Sequence, residues 1–125
     1  MQPLALFDMA YRQNDWLARR QSVITSNIAN ANTPGYKTKD LASFEHAMQA
    51  ADPMATTHGA HFPLEDANVA SAKIVNTEGT EVLHSGNDVS VEQEFLKSGE
   101  VTRSYSMNTQ ILKAFGRMLS AVTKV

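Results

Sequence analysis

Positions spaced alternately three and four residues apart recur from Phe7 to Ala31, which is the spacing of one face of an α-helix. These positions are Phe7, Ala10, Asn14, Leu17, Gln21, Ile24, Ile28 and Ala31. They predict an N-terminal helix over residues 1–32, with Leu17, Ile24 and Ile28 at a seam against another helix. Trp16 and Val23 lie off this face, so the helix requires a second neighbour as well.

Two polar residues, Asn14 and Gln21, interrupt this otherwise apolar face. In one interpretation they pair across a helix interface and fix its register, as a buried Asn does in coiled coils. In the other, they are exposed on an imperfect face. The pattern alone leaves both interpretations open.

A second face with the same spacing predicts a C-terminal helix over residues 90–125. Its positions are Val101, Tyr105, Asn108, Leu112, Phe115, Leu119 and Val122. The larger apolar members, Tyr105, Leu112, Phe115 and Leu119, form its predicted seam. Ser90 and Gln93 have the spacing of a capping box that would begin this helix. The predicted fold class is therefore mainly α, with two long terminal helices in a coiled-coil-like pair.

The middle of the chain, residues 33–89, shows only short patterns. Apolar residues predict a short helix within residues 38–51, with Asp40 as its N-cap. Two apolar triplets, 73–75 and 81–83, flank a turn-like stretch and predict a small β-hairpin. Small, polar, Pro and Gly residues predict a loop over residues 52–68. The chain thus forms a single unit of residues 1–125 with a loop-rich middle.

The stretch that ends the first helix predicts a sharp reversal of the chain. Asn30 and Asn32 tolerate the left-handed conformation that often ends a helix. Thr33-Pro34-Gly35-Tyr36 then fits a type II turn, with Pro at the second position and Gly at the third, where φ is positive.

Charge is distributed unevenly along a chain whose formal net charge is −2. Residues 1–44 carry five basic and three acidic groups, residues 45–94 one and nine, and residues 95–125 five and one. This pattern favours either lateral contacts between subunits or a solvated acidic loop. No aromatic platform accompanies the basic residues, so nucleic acid is not an expected partner. The N-terminus lacks the pattern of a cleavable signal peptide, and no stretch has the length of a membrane span.

Residues 27–37 resemble the N-terminal signature of the bacterial flagellar axial family, which comprises the rod, hook and hook-associated proteins. That signature reads Asn-x-x-Asn-x-x-Thr-Pro-Gly-Tyr. Residues 86–94, followed by Arg103-Ser104-Tyr105 and Asn108, resemble the C-terminal part of the short rod proteins. The resemblance covers roughly residues 10–45 and 85–122, and the short chain is similar to a proximal-rod subunit. Lys39-Asp40 and the loop at residues 57–61 favour the B-type subunit, with the C-type as its close rival.

The resemblance implies a structural protein that polymerises into the rod, the drive shaft that carries torque from motor to hook. It implies export through the flagellar type III apparatus without a cleavable signal peptide, and a place in the periplasmic part of the basal body. The implied partners are other rod subunits, the basal adaptor, the membrane ring and the export gate. Terminal helices in this family are often disordered before assembly.

The residues implied in subunit contacts fall into two groups. The first fixes a corner that docks on a neighbour: Asn27, Asn30, Thr33, Pro34, Gly35 and Tyr36. The second forms the helical seams: Leu17, Ile24, Ile28, Tyr105, Leu112, Phe115 and Leu119. No catalytic, cofactor or small-molecule site is expected.

Two other classes of function compete with this interpretation. His58 and His61 are the residues of a candidate zinc site, but their spacing matches no strong motif. A non-flagellar coiled-coil adaptor explains the two helical faces. It does not explain the Thr-Pro-Gly-Tyr corner together with the Gly-Asn-x-Val entry to the last helix.

Overall fold

The computed structural model describes residues 3–51, 72–77, 79 and 81–124. Three helices are present in this part of the chain: α1 (Pro3–Ala29), α2 (Phe44–Ala51) and α3 (Val91–Thr123). Two short strands, β1 (Lys39–Leu41) and β2 (Ile74–Asn76), form an antiparallel sheet. The predicted fold class is confirmed, since two long terminal helices enclose a small sheet. The predicted loop at residues 52–68, with residues 57–61 and both of its histidines, lies outside the described residues.

Helices α1 and α3 pack against each other in antiparallel orientation. Three side-chain pairs join them: the Phe7 and Phe115 rings, whose centroids are 5.4 Å apart, the Asn14 and Asn108 amides at 3.1 Å, and Gln21 with the Ser98 hydroxyl at 3.1 Å. Their α1 members are seven residues apart, as in a coiled coil. Asn14 and Gln21 therefore face the partner helix, and the interpretation that they are simply exposed is wrong.

These polar pairs fix the register between the two helices. Sliding α3 by one turn would separate the Asn14 and Asn108 amides and leave the buried Asn108 and the half-buried Asn14 without partners. A buried polar group without a hydrogen bond costs about 1–3 kcal/mol. The pairs therefore select one alignment, whereas the apolar contacts alone would tolerate several.

The other side of α1 packs against β1 and α2, which supply the second neighbour that the sequence requires. The Trp16 indole Nε1 donates to the Ala42 carbonyl at 3.0 Å, and its ring meets Phe44 edge-on at 6.1 Å. The buried apolar core in the described part of the chain is small: Trp16, Leu17, Ile24, Leu41, Ala47 and Val101.

Helix α2 begins later than predicted, and Asp40 is not its N-cap. The N-cap is Ser43, whose hydroxyl accepts the His46 N–H at 3.3 Å. Asp40 lies in β1, where Arg20 binds both of its carboxylate oxygens. An aspartate held in this way cannot turn towards a helix N-terminus.

The predicted hairpin between residues 73–75 and 81–83 is wrong, although a strand does form at the first of these triplets. β2 pairs with β1 instead, in the register Lys39↔Asn76, Asp40↔Val75 and Leu41↔Ile74. Residues 81–83 form no strand, because the Leu83 N–H is donated at 2.8 Å to the Asn87 carbonyl in the turn that leads into α3. An isolated hairpin is marginal in water, whereas β1 already lies against α1.

The predicted capping box at the start of α3 does not form. Ser90 is the N-cap residue in extended backbone conformation, but its side chain makes no capping hydrogen bond. The preceding Asn87 holds this segment instead, since its Oδ1 accepts the Val89 N–H at 2.8 Å.

The register role of the polar pairs is testable by unfolding. Asn108→Leu should destabilise the chain by about 1–2 kcal/mol, because the Asn14 amide then faces an apolar side chain. The double variant N14L/N108L should recover most of this loss, because both polar groups are removed together. Urea unfolding of the native chain and of the N108L, N14L and N14L/N108L variants measures these effects. A loss in the double variant equal to the sum of the two single losses would contradict the assignment.

Candidate contact site at the helix corner

Asn27, near the end of α1, is completely buried and uses its whole side chain in hydrogen bonds. Its Nδ2 donates to the Lys39 carbonyl at 2.6 Å and to Glu94 Oε2 at 3.0 Å. Its Oδ1 accepts the Lys39 N–H at 3.2 Å and the Tyr36 hydroxyl at 3.3 Å. By bonding to both backbone groups of Lys39, the amide occupies the place of a neighbouring strand along β1.

Asn87, just before α3, is the second buried amide of the corner. Its Nδ2 donates to the Asn30 and Thr33 carbonyls, both at 2.8 Å. Carbonyl groups at the end of a helix have no partner within the helix. The segment that begins α3 therefore caps the end of α1.

The helix ends without the left-handed residues that were expected at Asn30 and Asn32. Among the described residues, only glycines have positive φ. Asn30 instead turns its side chain back, and its Nδ2 donates to the Ser26 carbonyl at 2.8 Å. Because Asn30 and Asn87 satisfy these carbonyls, no left-handed cap is needed, and that prediction is wrong.

The predicted type II turn at residues 33–36 is confirmed. Gly35 has φ +73° and the Tyr36 N–H donates to the Thr33 carbonyl at 3.2 Å. The Gly35 N–H also donates to the Ser85 carbonyl at 2.9 Å. Beside it, Gly86 has φ +81°, and a Cβ there would lie 3.5 Å from the Gly35 Cα. The turn is thus joined by a backbone hydrogen bond to the segment that precedes α3, residues 85–90.

A buried aspartate, Asp88, joins the segment that precedes α3 to Thr38, the residue before β1. Asp88 Oδ1 accepts the Thr38 N–H at 2.6 Å and the Thr38 hydroxyl at 2.8 Å. Burial raises the pKa of Asp88. Together, the Thr38 hydrogen bonds, the Lys37 charge and a hydrogen bond from the Gly79 backbone outweigh this effect and hold the pKa of Asp88 below its usual value.

A chain of ion pairs continues from Asn27 across the molecule. Glu94 Oε1 lies 3.0 Å from Lys97 Nζ, which lies 3.6 Å from Asp40 Oδ2. Asp40 in turn receives two hydrogen bonds from Arg20, at 3.1 and 3.2 Å. Buried carboxylates are tolerated only when such partners offset their desolvation. Every buried side-chain nitrogen and oxygen in the described part of the chain has a hydrogen-bond partner.

The residues that the sequence assigned to subunit contacts lie in three environments. At the exposed tip of the turn lie Thr33, Pro34 and Gly35, with Asn30 and Tyr36 half-buried behind them and Asn27 fully buried. In or against the core lie Leu17, Ile24 and Ile28. On α3, Leu112 and Phe115 are half-buried, whereas Tyr105 and Leu119 are 51% and 38% exposed.

Sequence reasoning did not assign Asn87, Asp88, Glu94 or Thr38 to the corner. The stretch Gly86-Asn87-Asp88 was a visible signal, because this cluster of turn-forming residues has no helical or strand spacing to explain it. No local pattern indicated Glu94, because its partner Asn27 lies 67 residues away.

Comparison with known proteins decides the family. A model of the family described as flagella basal body rod protein matches residues 16–37, which comprise the second half of α1 and the corner. The flagellar basal body rod protein FlgB of Agrobacterium fabrum is 40% identical over 99% of this chain and 96% of its own length. This chain belongs to the flagellar basal body rod protein family. FlgB proteins of Aeromonas hydrophila and Salmonella typhimurium are 35% and 26% identical over 62% and 76% of the chain.

Membership in the rod protein family confirms the resemblance seen in the sequence and the preference for the B-type over the C-type. A non-flagellar adaptor is excluded by the same match. Within the described residues, no helix has the length and apolar character to cross a membrane.

The role of Asn27 is testable by two substitutions of its amide. Asn27→Ala should destabilise the chain by roughly 3 kcal/mol, because Lys39 and Glu94 lose their buried partner. Asn27→Asp should cost more at neutral pH, since a carboxylate would then face the Lys39 carbonyl and the Glu94 carboxylate. Asn32→Ala, at an exposed position in the same loop, should change stability by less than about 0.5 kcal/mol. Equal effects at Asn27 and Asn32 in urea unfolding would refute the assignment.

Asp88 should make the fold sensitive to acid. Because its folded pKa lies below the unfolded value near 4, its contribution is complete above that value and is lost as pH falls through the folded pKa. Asp88→Asn should lower stability at pH 7 and flatten this acid limb. The free energy of unfolding measured from about pH 7 to pH 2 tests both effects. An acid limb as steep in the variant as in the native chain would contradict them.

Proposed function

We propose that this chain is a structural subunit of the proximal rod of the flagellar basal body. In this role it polymerises with other rod subunits into the shaft that transmits torque from motor to hook. The observation that carries the proposal is the 40% identity to a rod protein FlgB along almost the entire length of both chains.

The architecture supports a structural role. A shaft under torque needs subunits whose helices keep a fixed relation to one another. Here the end of α1 and the start of α3 are joined by Asn27 and Asn87, and the register between the helices is fixed by polar pairs. The buried polar groups of the corner are thus occupied in holding the fold.

The exposed surface offers contacts for neighbours. The Thr33–Gly35 tip projects from a rigid corner, so a neighbour would dock on it without first ordering it. Large apolar side chains along α3 are exposed in the single chain: Phe95, Leu96, Tyr105, Met107, Ile111, Met118 and Val122. Exposed apolar surface of this extent favours partners over solvent.

The finer parts of the proposal concern place and partners. The chain leaves the cytoplasm through the flagellar type III export apparatus and takes its place in the periplasmic rod. Its neighbours there are other rod subunits and the adaptor, membrane ring and export gate at the base. A small apolar core supports this proposal, because such a core lowers the cost of unfolding a chain for export.

Two substitutions at the turn test the proposal in the living bacterium. Gly35→Val should abolish or strongly impair motility, because a β-branched residue at φ +73° is strained by roughly 1–3 kcal/mol and distorts the docking tip. Gly35→Asn is the matched variant, since Asn tolerates this conformation and open space surrounds the position. It should retain most motility.

Motility on soft agar and mass spectrometry of isolated basal bodies measure these outcomes. We expect the native and G35N chains in basal bodies and little of the G35V chain. Normal motility with G35V would contradict the docking role of the turn. Absence of the native chain from complete basal bodies would contradict the rod function itself.

A further inference from the structure

The two edges of the small sheet differ in what covers them. At the free side of β1, the Asn27 amide binds both the N–H and the carbonyl of Lys39, in the place of a neighbouring strand. The free side of β2 has no such cover among the described residues. Ile74 is 53% exposed, and Asn76 is exposed as well. We call this free side of β2 the open edge.

The register of the sheet shows which backbone groups lie at the open edge. In an antiparallel pair, residues that exchange hydrogen bonds with the partner alternate with residues whose N–H and C=O groups point away from it. The Lys73 carbonyl accepts the Ala42 N–H at 2.9 Å, so Lys73 faces β1. By this alternation, Ile74 and Asn76 direct their N–H and C=O groups outwards. No described residue forms a hydrogen bond with these groups.

An extended chain is the structure that matches this arrangement. The outward groups of Ile74 and Asn76 repeat every second residue, about 6.5 Å along β2, which is the repeat of another strand. An antiparallel strand placed there would exchange up to four backbone hydrogen bonds with these two residues. A helix cannot do so, because its own backbone groups are bonded internally. Addition of a strand to a free sheet edge is a common mode of peptide recognition.

A groove of about 240 Å³ lies beside the open edge, between α1 and the sheet. Lys39 lies opposite Asn76 in the register, and side chains two residues apart along a strand share a face. The side chains of Lys39, Ile74 and Asn76 therefore lie on one face of the sheet. Alternate side chains of an added strand would lie on that face too, towards the groove. The groove is lined by Ser22, Val23, Ser26, Tyr36, Lys39 and Ile74.

Lys39 gives the groove its charge. Its ammonium group lies 5.5 Å from the centre of the Tyr36 ring, and none of the ion pairs between described residues includes it. No acidic residue lines the groove in the described part of the chain. A residue added opposite Asn76 would lie two strand spacings from Lys39, about 10 Å. The long side chains of Lys and Glu together span that distance.

We propose that the open edge of β2 binds an extended acidic segment of another basal-body protein. This segment adds a third strand to the sheet and places a carboxylate near the Lys39 ammonium. The backbone groups select an extended chain, and Lys39 selects its charge, because like charges repel. The inference rests on the proposed function and names the chemistry of one partner.

Asn76→Pro tests the open edge in the full-length chain. The N–H of residue 76 points away from β1, so proline there removes a donor for the partner and no hydrogen bond within the sheet. Urea unfolding of this variant should match that of the native chain. Val75→Pro is the matched control for the direction of these groups. The N–H of residue 75 faces β1, so this variant should unfold at lower urea concentration.

Two short peptides serve as probes of the partner. The acidic peptide is acetyl-Thr-Val-Glu-Val-Thr-amide, and the basic peptide has Lys in place of Glu. Hydrogen exchange measured by NMR should show rapid exchange of the Ile74 and Asn76 amides in the free chain. The acidic peptide should slow both, whereas the basic peptide should bind about threefold more weakly. The N76P variant should bind neither peptide.

Lys39→Glu should reverse the preference between the two peptides, because the charge of the groove is reversed. Lys73→Glu is the matched control. Lys73 is also exposed at the sheet, but it is one residue from Ile74, so its side chain lies on the opposite face. This variant should keep the preference for the acidic peptide. An equal effect of the two reversals would overturn the role of Lys39.

Four other results would overturn the proposal. Slow exchange of the Ile74 and Asn76 amides in the free chain would show that the chain covers its own edge. Failure of the acidic peptide to bind, or its binding to N76P, would contradict strand addition. Self-association that N76P abolishes would make a second copy the occupant.

Measurements in the bacterium separate this contact from the proposed function. Strains with the N76P chain should swim poorly on soft agar although the variant folds like the native chain. Native chain in isolated basal bodies together with normal motility of the N76P strain would refute the open-edge contact and leave the rod function standing. Absence of the native chain from complete basal bodies would refute the rod function, whatever the peptides show.

Discussion

The buried amide of Asn27 is the constraint on which the rest of the structure depends. A buried amide is stable only when its donors and acceptor are hydrogen-bonded, and the partners here come from separate segments. Lys39 lies in β1 and Glu94 in α3. The Tyr36 hydroxyl, which donates to the same amide, lies in the turn. Because one side chain needs all three segments in place, the end of α1, the turn, the sheet and the start of α3 form as one cooperative unit.

The corner belongs to a fold in which hydrogen bonds and ion pairs between buried polar groups hold many of the segments together. Among the described residues, seven polar or charged residues are buried, compared with six apolar ones. Hydrogen bonds and ion pairs demand specific distances and angles, whereas apolar contacts tolerate sliding. Such a fold holds its two long helices in one register, and the apolar core of its described residues is small. Both properties suit the rod subunit proposed above, which would be unfolded for export and would then hold a fixed shape in the shaft.

The terminal helices, their pairing and the turn were predictable from sequence, whereas most contacts between other distant segments were not. Spacing by three and four identified both terminal helices, and Pro34-Gly35 identified the type II turn, because these signals lie within a few residues. Asp40 looked like a helix cap because its partner Arg20 is 20 residues away. The pairing of β2 with β1 joins segments more than thirty residues apart. The partners of Asn87 were likewise not predictable, because its amide caps α1 at Asn30, 57 residues away, in place of the left-handed residue expected there.

Tracing this chain in cryo-electron microscopy maps of isolated basal bodies would show both its place in the rod and the geometry of the corner there. We expect density for the chain in the rod next to the membrane ring. There, α1 and α3 lie antiparallel, and the Asn27 side chain lies within hydrogen-bonding distance of Lys39 and Glu94. A rod that contains the chain with the end of α1 separated from the start of α3 would contradict the corner. Complete basal bodies without the chain would contradict its role in the rod.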